Sequence, residues 1–340
     1  KEINAVKKVL KSGILSQYLG KPGKFFNGGP KVQLFEKNIQ KYFKVKHAVA
    51  VNSWTSGLIC AVGALDIEPG DEIIVSPWTM SACITSIIFW NAIPVFADIE
   101  KDYYTISPEE IEKKITKKTK AIMSIDIFGQ SADMNKINKI AKKNNLKVIS
   151  DTAQAIGSKY NSKYSGTLAD IGGFSLNYHK HIHTGEGGML VTNNKKFAYK
   201  MRLIRNHGES VIKETARKKD LINTFGFNFR MGEIEATIGI EQLKKLKGII
   251  KKNIITSKII KKELSNLVGL SHPKTRNKAT HVYYVYPMLI DQKKCKFTKY
   301  QLGKFLNKNG IFIGLEYVNL HLLPMFKFKQ AYGRKHFPWS

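Results

Sequence analysis

Arginine is the first scarcity. Of 56 basic residues in the 340-residue chain, only six are arginine: Arg202, Arg205, Arg217, Arg230, Arg276 and Arg334. Proteins that read bases and phosphates lean on the planar arginine fork, so the lysine excess is not a nucleic-acid signature. Acidic residues are also few, at 26, which leaves a net charge of +30. A compact monomer of this size exposes about 14,000 Å². Thirty charges spread over that area lie roughly 20 Å apart, beyond two Debye lengths of ~8 Å. The lysines are scattered along the whole chain, so the balance reads as a diffuse bias with weak attraction for anionic small molecules. A non-catalytic basic binding protein is the rival that this charge motivates.

Cysteine is equally sparse. Cys60, Cys83 and Cys295 are widely spaced, which argues against a disulfide framework and a zinc site and for a reducing, cytoplasmic compartment. No run of about 18 apolar residues is present, so no membrane span is expected. The chain begins Lys1-Glu2-Ile3-Asn4, with neither Met nor a signal-peptide apolar region. Hydrophobic residues at 43% and charged residues at 24% exclude a disordered chain. The length corresponds to roughly two domains at about 150 residues each.

The first two thirds alternate short apolar runs with helical patterns. Strands are expected at Ala48–Val51, Glu72–Val75, Pro94–Asp98, Lys120–Ser124 and Lys147–Ser150. Helices are expected from Thr55 to about Leu65, over Ser81–Trp90 and over Met134–Asn144. Ser107-Pro108-Glu109-Glu110 reads as a helix start, with Ser as cap and Pro at the first position. This alternation predicts an α/β fold with a mostly parallel sheet covered on both faces. From Gly232 the pattern changes. Ile234, Ile238, Leu243, Leu246, Ile250, Ile254 and Ile259 recur at helical spacing, which predicts one long linking helix. Beyond it, strands at Val282–Leu289 and Ile311–Leu315 flank a helix at Phe297–Asn309. The expected organisation is an N-terminal segment with a large α/β domain over residues 1–240. Residues 241–340 then carry the linking helix and a smaller α+β domain. Phe337-Pro338-Trp339-Ser340 ends the chain without a closing element, so an incomplete C-terminus is expected.

The chemistry concentrates in one stretch, Gly173-Phe174-Ser175-Leu176-Asn177-Tyr178-His179-Lys180-His181-Ile182-His183-Thr184-Gly185-Glu186-Gly187-Gly188. Its three alternate histidines lack a cysteine or acidic partner, so no metal site is expected. Upstream lie Asn52-Ser53-Trp54-Thr55-Ser56-Gly57-Leu58 and Val148-Ile149-Ser150-Asp151-Thr152-Ala153-Gln154-Ala155-Ile156-Gly157. Downstream lie Asn206-His207-Gly208 and Gly226-Phe227-Asn228-Phe229-Arg230-Met231. The order and spacing of these five motifs resemble the DegT/StrS-type sugar-nucleotide aminotransferases, perosamine-synthase-like members of fold type I of the pyridoxal 5'-phosphate enzymes. The resemblance runs from about Lys11 to Pro338, and the family normally continues further.

The resemblance implies a role for each matching residue. Lys180 matches the Schiff-base lysine, since only an amine forms the imine and, once displaced, it moves protons. Asp151 ends an apolar strand, where α/β sheets place ligands. It matches the acid that pairs with the pyridine nitrogen, and a charge-assisted bond there makes the ring an electron sink. Gln154 resembles the residue that contacts the ring hydroxyl. Thr55 and Ser56 stand at a helix start, either as phosphate ligands or as ordinary caps. Ser175 matches a second phosphate ligand. Asn228 matches a residue that reaches the phosphate of the neighbouring subunit, which implies a homodimer with shared active sites. The chain also departs from the pattern. Trp54 replaces the usual Gly, Ser150 the usual Glu, and His179 a small apolar residue. Met80 aligns with the aromatic that stacks on the cofactor ring. Either Met80 or Trp78 covers the ring, or both only pack the core. Tyr317 and His321, in the segment from Gly314 to Pro324, either contact the sugar or form an apolar corner.

The implied activity is pyridoxal-phosphate-dependent transamination of a nucleotide-linked keto-sugar to an amino sugar, with glutamate as donor. The product would serve surface polysaccharide or glycan assembly. No nucleic-acid or membrane partner is expected. Two rivals keep the cofactor. Dehydratase relatives carry His at the position of Lys180, and desulfurase-like enzymes need a thiol in a mobile loop.

Overall fold

Alternation along the strands builds the layers. The computed structural model describes residues 1–209, 222–315 and 317–329. Arg217, Arg334 and the terminal Phe337–Ser340 lie outside the described residues. β1 (His47–Val51) turns Val49 and Val51 to one face and Ala48 and Ala50 to the other. Successive strand residues point to opposite faces, and a sheet buried on both sides is apolar on both. β2 (Glu72–Val75), β3 (Ile93–Phe96), β4 (Thr119–Ile125) and β5 (Lys147–Asp151) continue this pattern. A two-residue pair, β6 (Lys159–Tyr160) and β7 (Lys163–Tyr164), forms a separate ribbon. β8 (Ile171–Ser175) and β9 (Gly188–Thr192) complete the main sheet. Its order is β1-β9-β8-β5-β4-β2-β3. β9 runs antiparallel to both neighbours, and the other pairings are parallel.

Helices close both faces. The described helices, in chain order, begin with α1 (Glu2–Ser12), α2 (Pro30–Phe43), α3 (Trp54–Ala64) and α4 (Ser81–Ile88). They continue with α5 (Pro108–Lys114), α6 (Met134–Lys143), α7 (Lys195–Arg205), α8 (Glu233–Leu243) and α9 (Leu246–Glu263). On one face α3, α4 and α7 bury Leu58, Ile84 and Met201 against Val49, Ile73 and Met123. On the other, α2 and α8 bury Phe35, Ile39 and Ala236 against Ala48, Ala50 and Met189. α6 brings Ile137 and Ile140 against Ile122 and Val148. Starts follow local chemistry. The Ser53 and Ser107 side chains accept the first free N–H groups of α3 and α5, with Pro108 at the first turn of α5.

Two expectations change. The long helix divides into α8 and α9. A tight turn, with Lys245 N–H donating to Gln242 O, separates them. Leu243 and Leu246, one on each side of it, enter the same core. The strands expected at Val282–Leu289 and Ile311–Leu315 are not formed. Only a two-residue pair appears, β10 (Leu270–Ser271) with β11 (Leu289–Ile290). The rest of 282–288 is irregular chain, with Tyr283 at φ 51°, bonded to the main body, with Val282 N–H and Val285 N–H donating to Gly129 O and Phe128 O. Strand formation needs a neighbouring strand to complete the ladder, and this segment spends its hydrogen bonds on a loop. α10 (Lys299–Lys308) matches its predicted place, with Thr298 and Gln301 in a capping box. Ile311–Leu315 follows it as irregular chain, and α11 (Pro324–Lys327) is a single turn.

Candidate active site at the carboxyl edge of the sheet

Parallel strands all end on one edge, and that edge gathers the motifs. β1 leads into α3, β4 into the loop at Asp126–Gly129, β5 ends on Asp151 and β8 ends on Ser175. Ser175 lies opposite Gly188 on β9. A Cβ on Gly188 would fall 2.7 Å from Ser53 O and 2.8 Å from Trp54 Cα. The start of α3 therefore rests directly on β9, with Ser175 alongside. Ser56 and Ser175 are buried, while Thr55 is exposed. The first N–H groups of a helix have no partner within it, and the helix dipole favours an anion there. Ser53 Oγ takes the Ser56 N–H at 3.1 Å.

Asp151 is 5% exposed and holds three donors. Trp54 Nε1–H donates to Oδ1 at 2.7 Å, and Ala153 N–H donates to the same oxygen at 3.0 Å. The Cys83 thiol donates to Oδ2 at 3.0 Å. A second acid, Asp126, is fully buried nearby. It accepts from Thr152 Oγ1, Ser150 Oγ and Ala132 N–H. Burial pushes its carboxyl up to about 6, against those hydrogen bonds.

Lys180 sits in the turn after β8, its N–H donating to Asn177 O. Burial pushes its ammonium down to about 8, and the negative charge of Asp151 opposes that fall. Its Nζ donates to Tyr284 Oη at 3.2 Å and lies 4.2 Å from the centre of that ring. Tyr284 belongs to the irregular segment 282–288, which His181 also anchors through Nε2 at 3.0 Å from Val282 O. His281 is buried at the same place, and desolvation, with His181 beside it, lowers its imidazolium to about 4. Its Nδ1 accepts the Tyr283 N–H at 3.0 Å.

Gln154 ties two loops together. Its Oε1 accepts Phe128 N–H at 2.8 Å, and its Nε2 donates to Tyr317 Oη at 3.1 Å. Phe128 is held at φ 60°, an uncommon region for a bulky residue. Tyr317 packs against Trp78 and Phe128, with ring centres 5.1 and 5.4 Å apart.

The structure thus gathers Asp151 and Lys180 within electrostatic reach and joins Gln154 to Tyr317. Ser56 and Ser175 flank the start of α3. Trp78 stands beside Tyr317, whereas Met80 is 65% exposed. Asn228 is exposed, and its Oδ1 accepts from Arg230 Nε at 2.8 Å. His321 is exposed against Phe96, in a groove of about 470 Å³ shared with Trp78, Asp98 and Asn319. Tyr284 and Cys83 were missed by sequence reasoning. The signal for Tyr284 was the run Val282-Tyr283-Tyr284-Val285-Tyr286, rich in polar-tipped aromatics. For Cys83 no local signal existed, because it is an apolar helix position in sequence. Among the described residues no group of three His, Cys, Asp or Glu is placed to hold a metal, and no helix is long and apolar enough to cross a membrane.

Residues 2–340 match the DegT/DnrJ/EryC1/StrS aminotransferase family. The chain belongs to that family. It is 34% identical to GDP-perosamine synthase of Vibrio cholerae over 94% of this chain and 84% of that protein. It is 33% identical to UDP-4-amino-4,6-dideoxy-N-acetyl-beta-L-altrosamine transaminase of Campylobacter jejuni, over 85% of this chain and 73% of that protein. The solved structure of Helicobacter pylori PseC, an aminotransferase of pseudoaminic acid biosynthesis, superimposes with a TM-score of 0.85. It shares 30% identity, over 96% of this chain and 84% of that one. The protein is therefore a pyridoxal-phosphate-dependent aminotransferase of fold type I. The side chains suit that cofactor. Asp151 Oδ2 meets only a thiol, a weak donor that leaves acceptor capacity for a cationic ring nitrogen. Asn177 Oδ1, His181 Nδ1 and His183 Nδ1, on the turn carrying Lys180, are buried without a partner among the described residues, as befits a place for a polar ligand.

Proposed function

We propose that this aminotransferase moves an amino group from glutamate to a nucleotide-linked keto-sugar, with Lys180 as the lysine that bonds the cofactor. The observation that carries the reading is the pairing of a desolvated Lys180 with a buried Asp151 at one sheet edge, in a chain whose relatives are named for amino-sugar synthesis. Bound pyridoxal phosphate supplies an aldehyde that takes up amino groups and a ring that spreads negative charge. Asp151 holds the ring nitrogen by a charge-assisted hydrogen bond. Ser56, Ser175 and the start of α3 hold the phosphate, with Thr55 at its rim. Gln154 meets the ring hydroxyl, and Trp78, rather than the exposed Met80, covers the ring.

A lowered ammonium lets Lys180 hold a proton or release it near neutral pH. As a free amine its Nζ would be the base that takes the proton from the donor carbon and the acid that later gives it up. With the keto-sugar the same transfers run in reverse. Tyr284 Oη accepts from Nζ and keeps it aimed during both halves. Tyr317, joined to Gln154, borders the sugar, and His321 marks the outer groove. We place the reaction in a cytoplasmic homodimer, with the exposed Asn228 directed to the partner's phosphate. The large α/β unit would end near residue 240, before the smaller C-terminal unit. The dehydratase reading lacks its histidine, since Lys180 stands there. The desulfurase reading does not suit Cys60 and Cys83, which are fully buried on helices, and the loop thiol, Cys295, lies against Val268 and Gly269.

The test is a two-stage assay. Glutamate should convert the enzyme-bound cofactor to pyridoxamine phosphate, and a panel of nucleotide keto-sugars should then return it while gaining an amine by mass. Failure of every amino donor to convert the bound cofactor would sink the proposal.

A further inference from the structure

Trp54 makes a contact that its place in the chain does not foretell. It is the first residue of α3, yet its indole is 6% exposed and crosses under the sheet edge to Asp151. Two neighbours are glycine where any side chain would collide with that ring. A Cβ on Gly173 would stand 2.2 Å from the indole Cζ3, and one on Gly57 would stand 2.7 Å from its Cε3. Gly173 is also the strand partner of Asp151. The sheet thus leaves a slot that the ring fills, and the slot ends on the carboxylate.

The two oxygens of Asp151 are treated differently. Oδ1 accepts a strong indole N–H and a backbone N–H. Oδ2 accepts only the Cys83 thiol, a weak donor. That thiol has a second neighbour, Thr79 Oγ1, at 3.1 Å. Burial holds the thiol in its neutral, donating form. We infer that Trp54 is a positioning residue for the cofactor. Its indole pins Asp151 through Oδ1 so that Oδ2 is the oxygen offered to the ring nitrogen, and Cys83 is a placeholder on Oδ2 that can turn to Thr79. The inference rests on the assignment of Asp151 to the ring nitrogen.

Its consequence is an opposite response of two residues that touch the same carboxylate. Trp54→Phe keeps an aromatic ring, smaller than the indole, and removes the donor. Cys83→Ala removes the competitor. Affinity for pyridoxal phosphate is measured by equilibrium dialysis on apoprotein, alongside the melting temperature of the apoprotein and the pH at which the bound cofactor changes colour. Trp54→Phe should weaken cofactor binding about tenfold, as loss of a partner behind a ligating group does, and move the colour-change pH. Cys83→Ala should bind as tightly as wild type or more tightly, although it loses some melting temperature. If Trp54→Phe does not fold, the sulfur isostere of tryptophan, inserted at position 54 by codon suppression, keeps the ring volume and removes the N–H. Asp151→Asn is the control. Binding by the Trp54 variants within twofold of wild type, or equal weakening by Cys83→Ala, would overturn the inference. Unchanged binding by Asp151→Asn would instead overturn the assignment of Asp151, and the inference with it.

Discussion

The carboxyl edge of the sheet and the segment from 282 to 315 carry similar apolar runs and end differently. β4 and β5 each have strands on both sides and pair with them in parallel ladders. Val282–Met288 has no strand beside it. It bonds instead to Gly129, Phe128 and His181, and so presents Tyr284 to Lys180. Further on, Phe305 and Phe312 are 64% and 86% exposed. An apolar, β-branched run is therefore permission to be extended. Whether it becomes a strand or the wall of a site depends on what lies next to it.

That contrast orders the expected effects of substitution. Lys180→Ala should cost at least about a thousandfold in amino transfer, with no borohydride-trapped cofactor on the protein by mass spectrometry. Gly173→Ala at the sheet edge should destabilise the fold by about 2–4 kcal/mol by urea titration, because its Cβ has no room beside Trp54. A loss below 0.5 kcal/mol would show that the edge is looser than its packing indicates. Tyr284→Phe, in the irregular segment, should slow amino transfer by about tenfold while leaving the melting temperature within a few degrees. It should also shift the pH at which apoprotein takes up pyridoxal phosphate. The amine form of Lys180 reacts, so uptake should rise through a midpoint of about 8 in wild type. Loss of the Tyr284 acceptor destabilises the ammonium and moves that midpoint lower.

Stability gives a smaller effect of known sign. The folded Lys180 titrates at about 8 and an unfolded lysine near 10.4, so the unfolded chain binds more protons between those values. The penalty of the buried ammonium is absent above the upper value and complete below the lower. Lys180→Met should therefore raise the melting temperature of apoprotein at pH 7 by a few degrees, and the gain should fade as pH approaches 10.5. Phe312→Ser, on the exposed side of the comparison, should change stability by no more than about 0.5 kcal/mol. A large loss there would mean that this surface is covered in the working protein.

Much of the layered fold was legible because its signals are local. Ser53, Ser107 and Thr298 start their helices as hydroxyl caps must. The residues of β1, β2, β4 and β5 are apolar on both faces, as a doubly covered sheet requires. The closeness of Asp151 and Lys180 at the sheet edge was foreshadowed, since Asp151 closes a strand and Lys180 lies within a dense motif. The break between α8 and α9 was not. Its helical periodicity runs through Lys244 and Lys245, and Leu243 and Leu246, three apart, would share one core with or without the turn, so spacing carries no mark of it. His321 and Met80 were equally ambiguous, because spacing along the chain does not report which side chains a fold leaves outside.

The sequence by itself determined the alternation of strands and helices and their caps, and it singled out Lys180 and Asp151 as the candidates for the chemistry. Each depends on residues within a few positions of one another, where periodicity and hydrogen-bonding side chains act directly. Only the tertiary structure decided that Trp54 and Cys83 meet at Asp151 and that Tyr284 faces Lys180. Those pairs are 97, 68 and 104 residues apart. Contacts at that range follow from the order of the strands and the space left by glycines such as Gly173, not from any local preference of the residues that meet.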